Sequence, residues 1–310
     1  MSMRYQAGIV LPGYNPLKVP NAPTIGTATG VSTTSLSITF TAPSDVGGGA
    51  ITSYIAIAKR TSDGVLFTAS GASSPITVTG LTAVPFTVTV VAVNAYGPSA
   101  ASAASNSVTP AIPVPVVGSV LGGGFFAGQI STAGNGIADY NLVVGPVASA
   151  QSTSKQWKIV NTTTAGTTSV IDGPANSVAM NDVTHPAALF CEAVTTGGFT
   201  DWYMPAKNEL EVCYYNLKPT TDINNTSFGT NTNAVPSRGS NYTTGTPAQT
   251  SATNFKNTGS EDFASNFYWS STGTTAPYAW AQRFYNGTQY DAFFTKDTAL
   301  YVRAIRRVAV

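Results

Sequence analysis

The sequence predicts a mainly-β protein of two modules: an N-terminal β-sandwich and a C-terminal α+β domain with two helices. Three observations predict it. Residues 21–109 alternate apolar and polar side chains in short runs separated by turn residues, the pattern of half-buried strands. Pro110-Ala-Ile-Pro-Val-Pro115 then interrupts the chain with closely spaced prolines, which favour a semi-rigid extended spacer of about 3.1 Å per residue. Beyond it, helix signals occur at two places only, amid further short apolar runs. A chain of 310 residues is long enough to bury a core in each module.

Residues 1–20 include Gly8-Ile-Val-Leu-Pro-Gly-Tyr-Asn-Pro-Leu17, where Pro12 and Pro16 forbid a helix and spoil a central strand. An extended segment that docks its apolar side chains on another protein is expected, with an unstructured terminus as the alternative. In the sandwich, Leu36, Ile38 and Phe40 share one strand face. Residues 53–58 and 86–93 read as further strands, with turns at 47–49, Asp63-Gly64 and Gly80. After the linker, 117–130 and 140–144 read as the opening strands of a domain over 116–310. The glycines at 122–124 lack the Lys-Ser/Thr of a phosphate loop and are expected in a turn. The first helix is expected over about 185–195, capped by Thr184, with Pro186 in its first turn and Gly197-Gly198 as its stop. The second spans about 205–217, opened by Pro205 and ended by Pro219, with Leu210, Cys213, Tyr214 and Leu217 on one face. Residues 219–262 are rich in Thr, Asn, Ser and Gly, and read as long ordered loops anchored by Phe228, Tyr242 and Phe255.

Composition narrows the chemistry. Only 9% of residues are charged, against about 25% in ordinary soluble proteins. A formal charge of +1 with 14 Tyr, 14 Phe and 4 Trp is unlike a disordered chain. The one basic cluster, Arg303, Arg306 and Arg307, falls in what reads as the final strand, which argues against a nucleic-acid face. No apolar run is long enough for a membrane-spanning helix, and Met1-Ser-Met-Arg-Tyr-Gln6 lacks the apolar stretch of a signal peptide. Cys191 and Cys213 are expected as buried free thiols, since a single bridge would be a thin staple. His185 is the sole histidine. It and Cys191 lie six residues apart and so point to different sides of a helix, which disfavours a zinc site. Among Glu192, Glu209, Glu211, Glu261, Asp262 and Asp291, no pair stands out for glycoside hydrolysis. The expectation is a non-catalytic protein without cofactor or metal.

Two resemblances follow from particular residues. Pro43, Gly80-Leu-Thr82 and Val91-Ala-Val-Asn-Ala-Tyr-Gly97 make residues 21–109 resemble a fibronectin type III domain. Phe40 stands where that family has a core Trp, and Phe86 where it has a corner Tyr, so a hydrogen bond worth about 1 kcal/mol is forgone. Farther on, Gly198-Phe-Thr-Asp-Trp-Tyr-Met-Pro-Ala-Lys-Asn-Glu-Leu210, Tyr268-Trp-Ser-Ser-Thr272, Ala279-Trp280, Phe284, Gly287 and Tyr301-Val-Arg-Ala-Ile-Arg-Arg307 occur in an order that resembles the Lcl C-terminal domain family. That resemblance implies a C-type-lectin-like fold over 116–310, of a kind common at the tips of phage tail proteins. It further implies a tail-fibre or receptor-binding protein of the virion, assembled in the host cytoplasm as a homo-oligomer, expected trimeric. Residues 1–20 would dock on other virion tail proteins, and the tip would adhere to a bacterial surface polysaccharide or protein. A virion structural or decoration protein is the alternative, and a polysaccharide hydrolase a more distant one. The strings of calcium-dependent sugar binding (Glu-Pro-Asn or Gln-Pro-Asp with Trp-Asn-Asp) are absent from the sequence. The candidate receptor-binding residues are Tyr278, Tyr285, Asn286, Gln289, Tyr290, Asp291 and Phe293, on or beside a hairpin turned at Asn286-Gly287. Tyr and Asn supply contact area and adaptable hydrogen bonds at low entropic cost; an ordinary solvated hairpin is the alternative. Trp269, Trp280 and Phe284 are expected in the core.

Overall fold

The computed structural model describes residues 17–310. The chain divides into two compact units, Met1–Val114 and Pro115–Val310. Residues 1–16 of the expected docking segment lie outside the described residues. Its last four belong to the sandwich: Lys18 N–H donates to Gly47 O (2.9 Å), Asn94 Nδ2 donates to Lys18 O (2.9 Å), and Pro20 is buried.

The N-terminal unit is a β-sandwich. Strands β1 (Thr24–Ser32), β2 (Ser35–Thr41) and β5 (Ile76–Val78) form one sheet, in the order β1-β2-β5. Strands β3 (Ile51–Arg60), β4 (Leu66–Gly71), β6 (Phe86–Asn94) and β7 (Gly97–Pro98) form the other, in the order β4-β3-β6-β7. Leu36, Ile38 and Phe40 face inward as their alternation predicts, and Phe40 meets Tyr54 with ring centroids 4.7 Å apart. On β3 the inward set is Tyr54, Ala56 and Ala58, leaving the isoleucines between them half-buried. Phe86 is fully buried against Phe67, centroids 5.7 Å apart.

Beyond β7 the chain runs beside β6 with a period of three instead of two. Ser99, Ser102 and Ser105 donate their N–H groups to the carbonyls of Ala92, Val90 and Val88. Their hydroxyl oxygens accept from the N–H groups of the same three residues at 2.9–3.0 Å. Each hydroxyl also donates to the next carbonyl along its own chain, at Ala100, Ala103 and Asn106. Serine side chains thus complete the outer row of a sheet whose neighbouring backbone is not a regular strand.

The C-terminal unit has two sheets. Strands β8 (Val120–Leu121), β9 (Gly124–Ile130), β10 (Tyr140–Val144), β12 (Ala234–Val235) and β17 (Ile305–Ala309) form one, ordered β12-β9-β10-β17 with β8 on β9. Strands β11 (Gln151–Gln156), β13 (Phe267–Gly273), β14 (Ala279–Arg283), β15 (Gln289–Tyr290) and β16 (Ala299–Arg303) form the other, ordered β11-β16-β13-β14-β15. The closing strand β17 pairs with the early strand β10, so the two ends of the unit are joined.

Four α-helices occur among the described residues, where two were expected: α1 (Val147–Ala150), α2 (Gly173–Val178), α3 (Pro186–Glu192) and α4 (Lys207–Leu217). The added pair are too short to repeat a 3.6-residue period; α2 has Pro174 in its first turn and its cap is Asp172, which accepts from Ala175 N–H. Helix α3 is shorter than expected, and His185, not Thr184, precedes it. The Thr184 hydroxyl bonds to Asp182 Oδ1 instead. Leu210, Cys213, Tyr214 and Leu217 of α4 are buried as expected, but so are Asn208, Glu209, Glu211 and Val212.

Two cores flank the second sheet. One gathers Leu142, Leu210, Tyr214, Phe263, Tyr268 and Phe284 around α4. The other gathers Trp157, Met180, Cys191, Trp202, Trp269 and Val302. Strand β13 alternates between them, sending Tyr268 to the first and Trp269 to the second, as its two-residue period requires. The 219–262 loops are held down by buried Tyr242 and Phe255, half-buried Phe228, and an amide network in which Asn224 Nδ2 donates to Pro247 O (2.9 Å) and Lys218 Nζ to Asn224 Oδ1 (2.8 Å).

Candidate functional site

Most ionisable side chains of the C-terminal unit are engaged within the fold. Asp201 accepts from Arg306 Nε (2.7 Å) and Nη2 (2.9 Å). Glu209, fully buried, accepts from Tyr203 OH (2.6 Å), Ala206 N–H (2.8 Å) and Arg307 Nε (2.8 Å). Arg303, whose side chain is wholly buried, pairs with Glu261 at 2.9 Å and donates to Gly145 O at 2.8 Å. Burial pulls its guanidinium down to about 10. Glu211 accepts from Tyr242 OH (2.7 Å) and Asn231 Nδ2 (2.6 Å) and pairs with Arg238. Burial raises the carboxyls of Glu209 and Glu211 against the pull of their arginines. The Asp, Glu and Arg residues of the 198–307 motif are therefore framework, fastening loop to strand. His185 is nearly enclosed, with Nε2 2.8 Å from Thr164 Oγ1 and Nδ1 2.9 Å from Asp182 Oδ1. Burial outweighs the neighbouring carboxylate and lowers its pKa. Among the described residues, no group of three or more His, Cys, Asp or Glu could hold a metal. Both cysteines are free and buried.

The predicted hairpin forms, with Ala281 opposite Tyr290 and Gln282 opposite Gln289. Its turn runs 284–288: Arg283 N–H donates to Thr288 O and Gly287 N–H to Arg283 O, both at 2.9 Å. Gly287 takes φ +76°, and a Cβ there would collide with the rings of Tyr214 and Tyr242. The turn is therefore packed onto α4 and the loops, not held out in solvent. Asn286 is committed to it, its carbonyl accepting from Asn225 N–H (2.9 Å) and its side chain from the Thr288 hydroxyl (2.8 Å). Gln289 is buried beside Gln282. Strand alternation sends that pair toward α4 and Tyr290 the opposite way. Tyr278 is half-buried, its backbone bridged to Thr295, and Asp291 is exposed. Trp280, expected in the core, is only half-buried, with Lys207 Nζ 4.4 Å from its ring centroid. Trp269 and Phe284 are fully buried.

What remains outward, Tyr285, Tyr290 and Phe293, joins three residues that sequence reasoning did not single out: Phe267, Arg283 and Phe294. Arg283 lies directly across from Phe267 on the neighbouring strand. Its guanidinium carbon is 5.3 Å from the Phe267 ring centroid and 4.9 Å from that of Tyr285. Phe267 continues to Tyr290 (5.7 Å) and Phe294 (4.6 Å), and Tyr290 to Phe293 (4.9 Å). The result is a continuous aromatic ledge along β15, the outer strand of its sheet, with Phe293 64% and Tyr285 39% exposed. Strand register made this cluster, and a single sequence holds no signal for register across the intervening loop.

Two clefts lie elsewhere. One of about 470 Å³ is bordered by Ser177, Asn181, Glu192, Asp201 and Tyr203. Another of about 330 Å³ is bordered by Tyr215, Arg238, Asn241 and Thr243. Asp201 and Arg238 are already paired within the fold, whereas Glu192 makes no ion pair among the described residues and burial raises its carboxyl.

Comparison with known proteins places the first unit. Residues 21–108 match the family model of the Fibronectin type III domain. No curated protein matches the chain. Among solved structures, the titin kinase with its flanking domains is 27% identical over 30% of this chain and 17% of that one, with a TM-score of 0.28. A human FNIII domain is 26% identical over 36% of this chain and 94% of that one (TM-score 0.28). The FN5 domain of Drosophila Lar is 24% identical over 31% and 100% (TM-score 0.25). This chain spans only 17% and 32% of the two titin structures it matches. Residues 21–108, a two-sheet sandwich with Phe40 and Phe86 in its core, are a fibronectin type III domain.

Proposed function

We propose that this chain is a receptor-binding protein of a phage tail fibre, in which the fibronectin type III domain is a spacer and a C-type-lectin-like domain adheres to a bacterial surface receptor without catalysis. The observation that carries the reading is the exposed aromatic ledge, built on a sheet edge in a domain whose buried carboxylates are tied to arginines. Rigid aromatic anchors with unsatisfied surface are what adhesion needs, whereas paired carboxylates are spent for acid–base work. The order of the motif residues over 198–307 supports the lectin-like and tail-fibre parts of the reading.

Incubating purified protein with a panel of bacterial envelopes tests it. Adsorption is expected, with no sugar released. Each exposed aromatic at a binding hot spot contributes about 2 kcal/mol or more, so the Tyr285→Ala/Tyr290→Ala double variant should bind at least about 100-fold more weakly with an unchanged melt. Parent-like adsorption by that variant moves the site off the ledge. Absence of adsorption to any envelope favours a structural role within the particle, and released oligosaccharide favours a hydrolase.

A further inference from the structure

Arg283 stands apart from every other described arginine. Arg60, Arg238, Arg303, Arg306 and Arg307 each pair with a carboxylate of this chain. Arg283 pairs with none; its Nε, like those of Arg60 and Arg238, is buried without a hydrogen-bond partner, so the missing carboxylate is what distinguishes it. Residues 1–16 contain no Asp or Glu that could supply one. The ring faces of Phe267 and Tyr285 attract the cation from two sides but offer its N–H donors no oxygen. A guanidinium fixed in this way keeps its planar fork of donors for something outside the chain.

We propose that the ledge binds an acidic saccharide, with Arg283 pairing a sugar carboxylate while Tyr285, Tyr290 and Phe293 pack against the C–H faces of adjacent rings. The inference rests on the adhesion reading above and names its ligand class. Charge complementarity selects the anion. Bidentate guanidinium–carboxylate pairing is planar and monovalent, and Arg283 is the one charged member of the ledge. Lys207 of α4 sits over Trp280, whose position in β14 sends it to the face opposite Arg283. A dianionic phosphate monoester would therefore remain half-neutralised, and a singly charged phosphodiester, which one guanidinium can neutralise, is the competing anion that the poly(glycerol phosphate) arm of the test addresses. The aromatics give the ligand its remaining surface, since stacked sugar rings present apolar C–H patches that neutral, rigid side chains can cover.

The test is calorimetry of the full chain with oligogalacturonate, oligoalginate and hyaluronan fragments, each beside its neutral carboxyl-methyl ester, and with poly(glycerol phosphate). At least one uronate should bind, its methyl ester about tenfold or more weaker, and affinity should fall with added salt. Arg283→Gln should abolish the difference between acid and ester, and Arg283→Lys should restore only part of it. Since Arg283 is only half-buried, both variants should melt near the parent. Equal binding of acid and ester, parent-like discrimination by Arg283→Gln, or binding of poly(glycerol phosphate) alone overturns the proposal. So does envelope adsorption by a parent protein that binds none of the uronates, an outcome that leaves the adhesion reading standing.

Discussion

Replacing Arg307 by Met should expose how much of the C-terminal unit depends on one internal ion pair. Glu209 is 0% exposed and accepts three hydrogen bonds, of which only Arg307 brings a positive charge. Met keeps most of the apolar stem and removes the guanidinium, so a buried carboxylate is left with two neutral donors. Breaking a buried pair from one side costs about 3–5 kcal/mol. At about 2–4 °C per kcal/mol for a domain of this size, the unfolding midpoint should drop by about 6–20 °C. All four tryptophans lie at or beyond Trp157, so selectively excited tryptophan fluorescence reports this unit alone. The deficit should depend on pH. Burial already raises the Glu209 carboxyl, and without Arg307 it rises further. The folded state then holds a proton that the unfolded chain releases above about pH 4.3. The deficit should therefore shrink as pH falls from 7 to 5 and grow as pH rises through the folded-state pKa. Adding Glu209→Gln should restore part of the loss. A loss below about 1 kcal/mol, or one that ignores pH, would refute the view that these motif residues are framework.

Trp269→Ala should unfold or aggregate the domain, because Trp269 is fully buried and losing such a side chain costs about 3–5 kcal/mol. Trp280→Ala, by contrast, should cost only about 1–3 kcal/mol, since its ring is half-buried beside Lys207; losses equal to those of Trp269→Ala would contradict the burial difference. Cys191 and Cys213, both buried with thiols pushed up by desolvation, should resist maleimide in the native state and titrate as two free thiols in denaturant. His185 should make the parent acid-sensitive. Its folded pKa is lowered by burial, so the unfolded chain takes up a proton first as pH drops below about 6.5. Measured from pH 7.5 to 5, the melting temperature of the parent should fall more steeply than that of His185→Gln; parallel slopes would mean that His185 is not held neutral.

Legibility in the sequence followed the range of the interactions involved. Leu36, Ile38 and Phe40 announced their strand because a two-residue period is local, and the Leu210–Leu217 face announced α4 likewise. Strand β4 escaped notice because both of its faces are partly exposed and its residues mostly small or polar. Helices α1 and α2 were too brief to repeat a period of 3.6 residues. The burial of Glu209 and Glu211 could not be read from α4 itself, since the arginines and tyrosines that satisfy them come from distant segments. At the candidate site, Tyr285, Tyr290 and Phe293 keep exposed surface, whereas Asn286 and Gln289 are taken up by the turn and the core. Composition marked the hairpin, but which of its side chains face outward depended on where its turn meets Tyr214 and Tyr242. Phe267 and Arg283 were missed for the same reason: they become neighbours only once β13 and β14 are in register.

The three serines that line the last row of the sandwich bear on how the domain avoids pairing edge to edge with its own copies. An open sheet edge offers a ladder of free N–H and C=O groups at the two-residue spacing that any extended chain can match, and so seeds strand addition and aggregation. Here the donors of Val88, Val90 and Ala92 are already taken by hydroxyls. The strap carrying those hydroxyls repeats every third residue, out of step with an incoming strand. Ser102→Val would free one amide and bring apolar bulk to that margin. The protection comes from the spacing of Ser99, Ser102 and Ser105, which needs neither charge nor proline, in keeping with a surface so poor in both signs of charge.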